Sequence, residues 1–192
     1  MLHPHTELRP AANPAIGWGV FATQFIPMGT LTWVQDPLDL ALTREQLAKL
    51  GPALQHLVHK YSYIDDYDRY VCSWDHAKYM NHSCEANTLS PVTSFEVAIR
   101  DIYPGEELTD DYGYLRLEHP FLCGCGSAHC RGTVSAQDAE RLQAAWQQLL
   151  AKPLARMPLL EQPLLAYADT QAQADIQRFW KKDALTNQQR IA

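Results

Sequence analysis

An α+β chain, β-rich in its first two thirds and helical at its end, is predicted by three observations. Residues 16–35 mix β-branched and aromatic side chains with punctuation at Gly17, Gly19, Pro27 and Gly29, the pattern of short strands joined by turns. Behind Thr43 and Gln46, which fit a capping box, Leu47, Leu50, Leu54 and Leu57 recur at helical spacing. After residue 135 the apolar residues fall on helical faces. The composition agrees: 46% apolar and 20% charged, with 9 Gly and 12 Pro scattered over 192 residues, excludes collagen-like, coiled-coil and disordered classes. That length allows one domain with a buried core and a short extension.

The elements follow in order. Short strands open the chain, and a helix follows Thr43, with Pro52 as its candidate break. Tyr61 to Tyr70 carries tyrosine and isoleucine around Asp65, Asp66 and Asp68, and Val71 to Tyr79 leads into Met80-Asn81-His82-Ser83-Cys84. Strand signals return at Phe95 to Arg100, before a turn at Pro104-Gly105. Ser135 and Asp138 make a second capping box, opening a helix whose face is Ala139, Leu142, Trp146, Leu149 and Leu150. Another helix follows Thr170 with Ile176, Phe179 and Trp180 as its stripe, and Pro153, Pro158 and Pro163 punctuate the stretch between the two.

Sixteen basic against twenty-two acidic residues give a formal charge of −6. That is the wrong sign for a general grip on nucleic acid, which needs clustered Lys or Arg. Basic partners are expected instead. The acidity sits in residues 1–135, with sixteen acids against nine bases, whereas residues 136–192 hold six against seven. No apolar run approaches the roughly 18 residues of a membrane span, and Met1-Leu2-His3-Pro4-His5 lacks the layout of a signal peptide. No membrane partner is expected, and a cytoplasmic location, or a nuclear one in a eukaryote.

Four segments carry candidate chemistry. Gly17-Trp18-Gly19 alone marks a tight turn and lacks the third glycine of a dinucleotide site. Asn81-His82-Ser83-Cys84 puts a carboxamide, an imidazole and a thiol in one loop, and Gly105 to Tyr114 ends in two tyrosines around a glycine that lets backbone approach a ligand. Cys123, Cys125 and Cys130 crowd together, which in a reducing compartment points to metal more than to disulfides, and they need a fourth ligand. Cys72 is left over, expected as a buried apolar side chain; His76, His119 and His129 are expected to be solvated or packed, with His129 a rival metal ligand.

In order and spacing these segments resemble the SET-domain family of protein lysine methyltransferases over roughly residues 15–134. Ile16 to Ala22 is similar to its first motif, Lys78 to Cys84 to its second, Gly105 to Tyr114 to its third, and Cys123 to Gly132 to its post-SET element. The resemblance implies small curved β-sheets around a knot-like thread: a SET domain over residues 1–122 with a variable insert at about 36–70, a post-SET zinc loop at 123–134, and a helical extension at 135–192. It implies S-adenosylmethionine held by Ile16, Gly17, Trp18, Tyr79, Asn81 and His82, with Gly124 and Arg131 nearby. Tyr112 would be the catalytic phenol and Tyr114 would line the lysine channel, with Tyr61 or Tyr63 as further candidates.

Cys84 would complete a structural Zn2+ site with Cys123, Cys125 and Cys130, as four thiolates favour a closed tetrahedral centre. One departure concerns Asp110, which stands where many members of the family place a Phe or Tyr that controls how many methyl groups are added. In extended backbone, positions i and i+2 share a face, so Asp110 is expected in the pocket beside Tyr112. The implied substrate is a Lys-rich protein segment, histone-like or ribosomal, toward which Asp65, Asp66 and Asp68 could attract charge if they border the groove. The competing reading is a catalytically silent SET-like binding module.

Overall fold

Strand pairing in the computed structural model, which describes residues 1–188, starts with β1 (Thr6–Pro10) against β2 (Trp18–Ala22), antiparallel from Thr6↔Ala22 to Pro10↔Trp18. β1 has no strand signal of its own; its partner supplies the order. The fully buried β3 (Leu31–Val34) follows, and then the insert: β4 (Leu40–Thr43), α1 (Arg44–Ala48), α2 (Pro52–Tyr61), β5 (Ser62–Ile64) and β6 (Arg69–Cys72), its strands in the order β4-β6-β5. The helix expected from Thr43 is therefore two. Its capping box forms, with Gln46 N donating to Thr43 Oγ1 at 3.2 Å and Thr43 N to Gln46 Oε1 at 2.8 Å. Pro52, however, opens α2, where its missing N–H removes no bond. Leu47 and Val58 go inside while Leu54 and Leu57 stay exposed, so the leucine spacing spans a break and forms no single stripe.

After a 3-10 turn at His76–Tyr79 come β7 (Asn81–His82), β8 (Thr88–Val92), β9 (Phe95–Ala98), β10 (Glu107–Asp110), β11 (Phe121–Leu122), β12 (Thr133–Val134), α3 (Asp138–Arg156) and α4 (Thr170–Gln188). β10 lies between β2 and β7. It runs antiparallel to β2 through Glu107↔Phe21 and Leu108↔Val20, and parallel to β7 through Thr109↔Asn81 and Asp110↔His82. Three stretches distant in sequence thus meet in one sheet of order β1-β2-β10-β7, beside a second sheet of order β3-β9-β8.

Two of the buried apolar clusters among the described residues hold these two sheets. Leu31, Val34, Phe95 and Val97 of the second sheet pack against Trp146, Leu150, Met157 and Ile176, so the C-terminal helices cover the sheet. Val20, Ile26, Met80, Ile102 and Leu108 form the other core, behind the first sheet. Pro153 does not end α3 but sits buried inside it: packing against the core and Gly29 compensates for the lost helical bond. Only half of the second capping box forms, Ser135 N donating to Asp138 Oδ2 at 3.1 Å. Cys72 is half-buried, on a strand shared by β4 and β5, and not a core side chain. Residues 189–192 of the expected extension lie outside the described residues, among which no helix is long and apolar enough to cross a membrane.

Candidate active site

Asn81 on β7 reaches across β10, its Nδ2 donating to Trp18 O at 2.9 Å and to Glu107 Oε1 at 2.7 Å. Gly19 permits this approach, because a Cβ there would overlap the Glu107 carboxylate and crowd Asn81. Ahead of it, Gly17 takes φ of +91°, a conformation that side chains resist, and the turn is closed by Ile16 N to Asn13 O at 3.0 Å and Ala11 N to Gly17 O at 2.9 Å. The result is a preset ledge: Ile16 and Trp18 are left exposed, and a Cβ on Gly17 would meet nothing within 4 Å. Gly124 of the cysteine loop lies against the same Asn13. Open space beside an exposed indole and a fixed backbone could seat a flat ligand. Tyr79 stands beside this region, edge-on to Tyr61 at 5.7 Å between ring centroids.

Tyr112 follows β10 directly. Its N–H donates to His82 Nδ1 at 3.1 Å and its hydroxyl donates to Met80 O. Since His82 Nδ1 accepts, the ring proton belongs on Nε2, which faces Cys84 Sγ at 3.4 Å. Burial lowers the His82 pKa and keeps the ring neutral. Asp111, next to Tyr112, accepts from Arg131 Nη1 at 2.7 Å and Nη2 at 2.5 Å, from Trp146 Nε1 at 3.0 Å and from Gly113 N at 3.0 Å. Burial works against its charge, yet Arg131 and these N–H groups hold Asp111 below the usual carboxylate range. The Arg131 guanidinium is thereby committed to Asp111.

Tyr112 also lines a cavity of about 560 Å³, walled by Trp33, Tyr63, Glu96, Asp110 and Tyr114, with Tyr61 on its lining. Asp110, only 3% exposed, accepts from the Tyr114 hydroxyl at 2.7 Å through Oδ2, while Oδ1 has no partner. Burial, reinforced by Glu96, raises Asp110 well above the carboxylate range, and burial pushes Glu96 up to about 7. Burial and the Asp110 charge also raise the Tyr112 phenol, so it stays protonated. No sequence feature considered above picks out Glu96; an acid flanked by Phe95 and Val97 on an alternating strand reads as solvent-facing, and here that face is the cavity wall. Of the acidic cluster of the insert, Asp65 is buried while Asp66 and Asp68 stay exposed. Asp65, 2% exposed, binds Tyr67 N, Arg69 N and Arg69 Nε, Asp66 accepts from Thr93 Oγ1, and Asp68 pairs with Arg44 at 2.8 Å.

The sulfurs of Cys84, Cys123, Cys125 and Cys130 all lie within 4.8 Å of one another. Metal–sulfur bonds of about 2.3 Å in a tetrahedron put sulfurs about 3.8 Å apart, and Cys84 Sγ to Cys123 Sγ is 3.8 Å. Backbone N–H groups of Arg131, at 3.3 Å from Cys84 Sγ, and Gly132, at 3.4 Å from Cys130 Sγ, favour thiolates. The donor set therefore fits a structural zinc ion. His129 instead pairs with Glu85 at 2.5 Å and is 82% exposed.

The model of the SET domain matches residues 17–113, half of the chain. The chain is similar to the histone-lysine N-methyltransferase ATX2 of Arabidopsis thaliana, 40% identical over 75 residues that make up 35% of this chain and 7% of that one. It is also similar to human histone-lysine N-methyltransferase SETD2, 27% identical over 158 residues, 73% of this chain and 6% of the other. The chain thus spans less than a tenth of the length of either relative. Among solved structures, the methyltransferase domain of human SETMAR aligns with TM-score 0.46 and 21% identity, covering 68% of this chain and 58% of that one.

Proposed function

The chain belongs to the SET-domain family, and from that membership and the surroundings of Tyr112 we propose that it transfers methyl groups from S-adenosylmethionine to the side-chain amine of lysine in a protein. The observation that carries this reading is the position of one phenol: Tyr112 is tied to Met80 O and His82 beside the Asn81–Trp18 ledge, and it also walls the cavity. The ledge of Ile16, Gly17, Trp18, Asn81 and His82 would hold the donor, with Tyr79 and the Gly124 loop at its border, and the sulfonium would supply an electrophilic methyl. The rings of Tyr63, Tyr112 and Tyr114 would orient the amine and exclude water, so catalysis rests mainly on alignment. Tyr112, held protonated, acts as a hydrogen-bond donor and not as a base.

Zinc on the four cysteines would pin the Cys123–Cys130 loop, and His82 and Arg131 would pass that order to Tyr112. The substrate would be a Lys-rich segment, histone-like or ribosomal. Labelled methyl transfer from S-adenosylmethionine into core histones and ribosomal proteins tests the proposal. Wild type should label protein, and Tyr112→Phe should lose about 10²-fold or more while donor binding by calorimetry persists. Donor binding without transfer would favour the silent binding module.

A further inference from the structure

Proton removal lacks an acceptor among the groups assigned so far. A lysine amine carries its proton up to a pKa of about 10.4, and the protonated nitrogen has no lone pair to give. Burial raises Tyr63, Tyr112 and Tyr114 well above the usual phenol range, so all three stay protonated. We propose, resting on the methyltransferase reading, that Glu96 together with Asp110 accepts the proton of the target amine inside the cavity.

The geometry comes from two strands. On β9, the middle strand of its sheet, Phe95 and Val97 face the core under α3 and α4, so the period of two turns Glu96 to the opposite face and into the cavity. Thr88 Oγ1 contacts its Oε2 at 3.2 Å. Asp110 enters the same cavity from β10 with Oδ2 on the Tyr114 hydroxyl and Oδ1 buried without a partner. A buried acceptor left without a donor is costly, and an ammonium N–H is the donor that would satisfy it.

The other groups facing the pair are Trp33 of β3, Tyr63 of β5, Ser90 of β8, and Tyr112 and Tyr114 of the turn after β10. The Met1 amine lowers Glu96 and Asp111 raises Asp110. His59 and Lys60 of α2, Lys78, Arg116, Glu118 and His119 line the rest of the cavity, and all of these but the half-buried Lys78 are exposed.

Two carboxyls sharing one cavity do not both ionise readily, so near neutrality the pair holds one proton and one charge. That charge draws in the ammonium. Poorly solvated, the resulting ion pair relaxes to a neutral amine and a neutral acid. The N–H bond breaks with its electrons left on nitrogen, the O–H bond forms on the carboxylate, and the proton then passes to water at the exposed rim of the cavity. No further reactant is needed.

The test compares wild type with the isosteric Glu96→Gln across pH, using core histones and ribosomal proteins as acceptors, beside carbon-13 titration of the Asp110 carboxyl in the unliganded chain. The variant should be about 10²-fold slower near pH 7 and recover to within a few-fold near pH 10, where solvent can deprotonate the amine. The Asp110 titration should move to lower pH once its acidic neighbour is gone. Parallel pH profiles, a loss that does not recover at high pH, or an unmoved Asp110 titration would overturn the inference and leave the methyltransferase reading standing. A wild type that neither binds the donor nor labels protein at any pH would overturn both.

Discussion

At Asp110 a carboxylate occupies the wall where an aromatic ring would narrow the cavity. Its register two residues before Tyr112 was legible, since extended backbone puts both on one face and both do line the cavity. Asp110→Phe should fill that space and shift the mono-, di- and trimethyl distribution toward fewer methyl groups, measured by intact-mass spectrometry; an unchanged distribution would separate this residue from product control. Glu96 was not legible, because strand alternation says which face a residue takes and not whether that face is wet. The insert acids divide: Asp65 is buried and held by Arg69, whereas Asp66 and Asp68 stay exposed, with Thr93 and Arg44 as their partners.

Among the elements, β10 does most to assemble the site, joining β2 and β7 so that Asn81, His82 and Tyr112 become neighbours. Local pattern marks β10 as a strand without revealing its partners, which is why the convergence was accessible only through family resemblance. The cysteine loop depends on the same convergence. Cys84 follows β7, and Arg131 ties the loop to Asp111. With zinc bound as proposed, the purified chain should carry one ion. Cys130→Ser or chelation should then weaken donor binding about tenfold or more by calorimetry, with near-native far-UV circular dichroism, because neither core contains these cysteines. Collapse of the whole fold on chelation would contradict that separation. The C-terminal helices are different, since α3 closes the larger core: Leu150→Ala should cost about 2–5 kcal/mol in denaturant unfolding. Their amphipathic stripes were legible, but the run of α3 through Pro153 was not, because tertiary contacts override the local penalty.

Over the whole molecule, the acidic cavity leaves a signature in stability against pH. Burial raises Glu96 from an ordinary 4.5 to about 7, so the fold binds this proton more tightly than the unfolded chain does. Its contribution is fully present below about pH 4.5 and is lost as pH rises through about 7. Glu96→Gln removes that dependence and should be more stable than wild type at about pH 8, by on the order of 2 kcal/mol, with the difference shrinking toward pH 5 in thermal unfolding. On the acid side, burial holds His3 down to about 4, and its share of stability is lost as pH falls from about 6.5 through that value.

The central claim is spatial: donor and amine approach one phenol from two sides. A crystal structure with S-adenosylhomocysteine and a lysine peptide tests it most directly. The account predicts the thioether on the Trp18–Asn81 ledge, the lysine nitrogen in the Glu96–Asp110 cavity, and the Tyr112 hydroxyl between them. A peptide lysine bound outside that cavity, or a nucleoside away from the ledge, would contradict it.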